Sequence, residues 1–167
     1  MKIHLKIISI ILVISSLLAM SACKGEDSSE PVTATITLNN LDTLKDCGNG
    51  NLAGIQFLVK FDENALTYSA CETNLNDIFT NCAFFAEASP QNPGEVLVIV
   101  MDNNLNGIKL AGQTQPVELA TLTFAKPDGA SGSQNISIEI QSACDSAANS
   151  EIESHLNSNI ISAKIDK

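Results

Sequence analysis

Apolar and polar residues alternate along most of this chain from Val32 onward. Val32-Thr33-Ala34-Thr35-Ile36-Thr37-Leu38 has the period of two expected of a half-buried strand. Ile55, Phe57, Val59 and Phe61 share one face of a second strand, with Gln56 and Lys60 opposite. Asp62-Glu63-Asn64 breaks it, and Leu66 to Cys71 begins another. Cys82 to Ala88 is a fourth run, and Pro90-Gln91-Asn92-Pro93-Gly94 is a strong turn signal before the continuous apolar strand Glu95 to Met101. Leu119 to Ala125, Ile136 to Ile140 and Ile161 to Ile165 complete about eight strands. Asn39 to Asn51 reads as a turn-rich connection, and only Ser150 to Leu156 suits a helical turn. This spacing predicts an all-β sandwich or jelly roll.

The N-terminus breaks that pattern. Lys2 and Lys6 precede an apolar stretch from Ile7 to Leu18, small residues follow, and then comes Cys23. This is the order of a secretory signal, and the stretch is shorter than the roughly 20 residues a membrane span needs. Met20-Ser21-Ala22-Cys23 resembles the bacterial lipoprotein box. The resemblance implies cleavage before Cys23, a diacylglycerol on its sulfur and an acyl chain on its amine, since a single chain anchors only marginally. Lys24 in place of Asp points toward the outer membrane or cell surface. The expected organisation is a signal peptide over 1–22, a lipidated cysteine and polar tether over 23–31, and one domain over 32–167.

The whole chain has 167 residues and a net charge of −10, with no arginine. Removing 22 residues leaves 167 − 22 = 145, a length suited to one domain. Loss of Lys2 and Lys6 takes the charge near −12 (−10 − 2). Such acidity repels nucleic-acid phosphates, which need Lys or Arg to displace counterions, so DNA and RNA are excluded as partners.

Five cysteines are present. With Cys23 lipidated, Cys47, Cys71, Cys82 and Cys144 remain, an even number that in an exported protein reads as two disulfides. Three connectivities are open. Cys71–Cys82 is favoured because the two flank a short connection between strands, which leaves Cys47–Cys144. No CxxC spacing suggests a metal or redox site.

Asp102-Asn103-Asn104-Leu105-Asn106-Gly107 matches the first half of a calcium loop, but its twelfth position is Gln113 rather than Glu and its flanks are strands. No metal or cofactor is expected. His155 is the one histidine left after signal removal; it lies in a polar segment with no nucleophile motif, and Asp62 and Glu63 are adjacent in a turn rather than a separated acid pair. The chain is not expected to be an enzyme. Sugar binding would use exposed aromatic rings, but there is no Trp and one Tyr, Tyr68. Phe57, Phe61 and Phe124 have core parity, while Phe79, Phe84 and Phe85 are not placed by parity.

Three stretches together resemble the cohesin family and its carbohydrate-binding relatives: Ala53 to Leu66, Asn92 to Val96, and Glu118-Leu119-Ala120-Thr121-Leu122-Thr123-Phe124, with Ile160 to Ile165 in the place of the closing strand. The resemblance implies a nine-stranded jelly roll that binds a partner through one sheet face. In cellulosomes that partner is a dockerin, a small calcium-binding helical module. It departs from scaffold cohesins in its own lipid anchor and its cysteines. If Val96, Val98 and Val100 face the core, then Leu97, Ile99 and Met101 point outward, where the family's partner-binding sheet lies. Either they form a docking patch, or a loop, helix or neighbouring chain covers them. The functional expectation is a non-catalytic, lipid-anchored module of the cell envelope that binds a protein. The alternatives are a carbohydrate-binding lipoprotein and a structural envelope component.

Overall fold

The computed structural model describes residues 30–166 apart from 74, 76–78, 80, 131 and 133. The expected signal segment, Cys23 and the tether as far as residue 29 lie outside the described residues.

The described residues form ten strands: β1 (Val32–Leu38), β2 (Asn51–Leu52), β3 (Gly54–Phe61), β4 (Thr67–Glu72), β5 (Cys82–Ala88), β6 (Glu95–Asp102), β7 (Ile108–Lys109), β8 (Val117–Ala125), β9 (Ile136–Cys144) and β10 (Ile161–Asp166). Two four-stranded sheets, β10-β1-β8-β4 and β5-β6-β3-β9, face each other, and β2 with β7 makes a small separate ribbon. The eight long strands are those the alternation predicts, and the all-β jelly-roll sandwich is confirmed. Every pairing is antiparallel.

Alternation sets which side chains are buried. Val32, Ala34, Ile36 and Leu38 of β1 meet Ile55, Phe57 and Val59 of β3, Val96, Val98 and Val100 of β6, and Leu122 and Phe124 of β8 in one core. Phe57 and Phe124 are fully buried; Phe124 makes edge-on contacts with Phe61 and Tyr68 at centroid distances of 5.0 and 6.3 Å. Leu75 and Phe79, in the connection between the two sheets, are also buried.

Three features depart from simple alternation. The connection expected over Asn39–Asn51 contains a 3-10 turn, Leu41–Leu44, because Leu41 and Leu44 are three apart and both reach the core. Ile136–Ile140 extends to Cys144 through a bulge opposite Gln56/Phe57, which resets parity so that Ala143 points inward. The Ser150–Leu156 helical turn is present as a 3-10 turn, Glu151–His155, that buries Ile152.

Cys47, Cys71, Cys82 and Cys144 are all free thiols, so neither Cys71–Cys82 nor Cys47–Cys144 is bridged in this structure. Cys47 packs against the core, whereas Cys144 stands on the outward face of β9 beside Gly54; the two side chains point to different sides of the sheet. Cys71 and Cys82 both pack against the core, from edge strands of opposite sheets. Burial pushes the Cys71 thiol up to about 12.

Candidate functional site

The outward face of the β5-β6-β3-β9 sheet assembles in register rows. Met101 lies between Ala83 and Gly54, with Cys144 beyond; Ile99 lies between Phe85 and Gln56; Leu97 lies between Glu87 and Leu58, with Glu139 beyond. The next row brings Glu95 beside Lys60 and Ser137. Because Val96, Val98 and Val100 are buried in the core, their neighbours must point away from it. Leu97, Ile99 and Met101 therefore do lie together on an outward face.

Two apolar members were not singled out in the sequence. Phe85 is 45 % exposed and stands opposite Ile99, and half-buried Leu58 stands opposite Leu97. Phe84 and Phe85 are adjacent, so one faces each way, and composition alone cannot say which. Strand register decides it: Phe84 pairs with buried Val100 and Phe85 with outward Ile99. Leu58 was legible from parity, since it lies between core residues Phe57 and Val59.

Beside the apolar row is a depression of about 290 Å³ bounded by Gly54, Gln56, Ile99, Met101, Ser142 and Cys144. Gly54 makes it possible. A Cβ there would sit 3.2 Å from the Cys144 Sγ and 3.3 Å from the Met101 Cγ. At the other end, the Lys60 Nζ lies 2.6 Å from Glu139 and 3.5 Å from Glu95. The Glu139 hydrogen bond holds the Lys60 pKa above its ordinary value, and the Lys60 hydrogen bond holds that of Glu139 below.

The Asp102 loop is organised by the carboxylate at its start. Asp102 is buried, and its carboxylate accepts the backbone N–H groups of Asn104 at 3.0 Å, Asn106 at 3.1 Å and Gly107 at 3.0 Å. Burial alone would raise its pKa, but backbone N–H groups of Gly107, Asn104, Asn106 and Asn81 outweigh that and lower it. Gly107 has φ 65° and a Cβ there would strike the Leu52 carbonyl, so its Gly is a backbone requirement. Asp145 does the same at the end of β9, accepting the N–H groups of Asn49, Ala147 and Asn149. Its pKa is lowered chiefly by the Asn149 N–H. Among the described residues no group of three His, Cys, Asp or Glu side chains could hold a metal.

His155 is exposed on its 3-10 turn. Asp62 caps a turn by accepting the Asn64 N–H at 2.9 Å. A groove of about 570 Å³ between β9 and β10 is lined by Ile136, Ile138, Ile140, Leu156 and Ile161, with Glu153 its one ionisable side chain. Of the aromatic rings a sugar could stack on, Tyr68 is turned onto Phe124, and Phe85 is the one exposed large aromatic among the described residues.

No curated protein matches the sequence. Among solved structures, the chain is similar to CaCohA2 in a crystal structure of its complex with CaDoc0917, with 14% identity and a TM-score of 0.52 over 72% of this chain and 81% of that one. The solution structure of CaCohA2 from Clostridium acetobutylicum matches with 17% identity and a TM-score of 0.47, over 60% and 65% of the two chains. The Coh-OlpC–Doc435 type I cohesin–dockerin complex from Clostridium thermocellum matches with 18% identity and a TM-score of 0.42, over 61% and 68%. The sequence profile of the cohesin domain matches residues 23–163, most of the chain. With that match, the chain belongs to the cohesin family.

Proposed function

We propose that this protein is an exported, lipid-anchored cohesin that holds a protein partner on the outward face of the β5-β6-β3-β9 sheet without transforming it. The observation that carries this reading is the row of Leu58, Phe85, Leu97, Ile99 and Met101 on one outward sheet face, with Phe85 and Met101 exposed and the other three half-buried. Burying that row against a partner would be worth roughly 25 cal/mol for each Å² of apolar surface removed from water. Complexes of related cohesins with dockerins support a dockerin-type module as the first partner to test.

Anchoring would follow from Cys23: diacylglycerol on its sulfur and an acyl chain on its amine give enough buried methylenes for stable attachment. The domain would then sit at the cell envelope, on the outer membrane or cell surface, joined through its polar tether.

The test is isothermal titration of dockerin modules into the protein, its Leu97→Asp variant and its Ile99→Asp variant. Binding that disappears in both variants, with melting temperatures unchanged, supports the reading. Equal affinity in all three proteins overturns it. Metabolic labelling with a radiolabelled fatty acid, against a Cys23→Ser control, tests the anchor.

A further inference from the structure

The outward face is polarised along its strands. We infer that it receives its partner in one orientation: the partner is apolar where it meets the Gly54 end and carries lysine or arginine where it meets the Lys60 end. This rests on the docking reading above.

The two ends differ in chemistry. At the Gly54 end the depression is lined by Met101, Ile99, Gln56, Ser142 and Cys144 and by no charged side chain. An apolar side chain can enter it, whereas a cation there would lose water and meet no counter-charge. Six residues along β6, about 20 Å at strand rise, the face carries Glu95, with Glu87 and Glu139 at the flanks of the Leu97 row. Three carboxylates there stand against one ammonium, Lys60, which already lies within 3.5 Å of Glu95 and 2.6 Å of Glu139. The end keeps a negative balance on a chain of net charge −10.

Charge complementarity selects the occupant. A protein segment with an apolar anchor at one end and cations about 20 Å away satisfies both ends at once. Turned around, the same segment would place its cations over the uncharged depression and its apolar anchor against Glu87, Glu95 and Glu139. Both contacts are penalised, so one orientation is favoured over the other.

The experiment uses the full chain and calcium-loaded dockerin modules, each made in two forms, with exposed positions at one end of the contact helix set to lysine or to glutamate. Titration calorimetry should give the lysine form about tenfold tighter binding at about 50 mM salt, with the gap closing near 500 mM. Glu87→Lys combined with Glu139→Gln should erase or invert that preference, and Leu97→Asp should remove binding of both forms. Equal affinity for the two forms, or a preference that Glu87→Lys/Glu139→Gln leaves unchanged, overturns the polarity while Leu97→Asp still abolishes binding. Binding that survives Leu97→Asp, or absence of binding by either form to the parent protein, overturns the docking reading and the polarity with it. Leu97→Ser serves as the second variant, and the melting temperature of each protein shows that it is folded.

Discussion

The backbone N–H of Asn49 donates to the Asp145 carboxylate over 2.9 Å, joining residues 96 apart in the chain. Asp145 also gathers the N–H groups of Ala147 and Asn149, so one buried carboxylate organises the turn after β9 and fastens it to the loop after Cys47. Asp102 has the same role between β6 and β7. Two acidic residues in a strongly acidic chain are thus structural.

Replacing Asp102 by Ala should destabilise the fold by about 3 kcal/mol, because the N–H groups of Asn104, Asn106 and Gly107 lose their acceptor. Chemical denaturation followed by circular dichroism measures this. Thermal melts with calcium and with EDTA should superimpose, since the twelfth loop position is Gln113 and no third acidic ligand stands beside Asp102 among the described residues. A calcium-dependent rise in Tm would contradict that assignment.

Acid should weaken the protein through the same two residues. Asp102 and Asp145 have folded pKa values below their unfolded ones. Their contribution is therefore fully present above the unfolded value of about 3.9 and is lost as pH falls through the folded values. Stability should be flat above about pH 5 and fall below about pH 4. The Asp102→Ala variant should show a shallower acid limb than the parent.

Phe57→Ala and Phe85→Ala should separate stability from binding. Phe57 is fully buried, so its truncation should cost about 3–5 kcal/mol. Phe85 is 45 % exposed, so its truncation should change stability by less than about 1 kcal/mol while weakening dockerin binding. Melting curves and titration calorimetry on both variants check the contrast.

Oxidation should join Cys71 to Cys82 in protein recovered from the envelope. The two thiols pack against the same core from the facing edge strands β4 and β5. Molecular oxygen or an envelope thiol oxidant would take up the two electrons. A bridge closing so short a loop should add roughly 3 kcal/mol. Non-reducing peptide mapping by mass spectrometry should find the Cys71–Cys82 linkage; unmodified Cys71 and Cys82 in envelope material would contradict this pairing.

Much of the fold was legible because strand parity is a local property. Val96, Val98 and Val100 are buried and Leu97, Ile99 and Met101 point outward, as alternation requires. The candidate docking face was legible only in part. Phe85 became a member when β5 paired with β6 in the register that sets it against Ile99. Glu139 joined Lys60 only because β9 runs beside β3, a neighbour that no short window of sequence contains.

What the sequence determined by itself was the alternation, and with it the strands and their buried sides, because a pleated backbone turns successive side chains to opposite faces wherever it lies. It also determined the turns at Pro90–Gly94 and the acidity of the whole chain. Tertiary structure decided which strands became neighbours, and so which outward residues share a surface. It gathered Leu58, Phe85, Leu97, Ile99 and Met101 into one face and opened the depression over Gly54. Those outcomes depend on pairing between distant segments, where register, bulges and burial act together, and no local pattern encodes them.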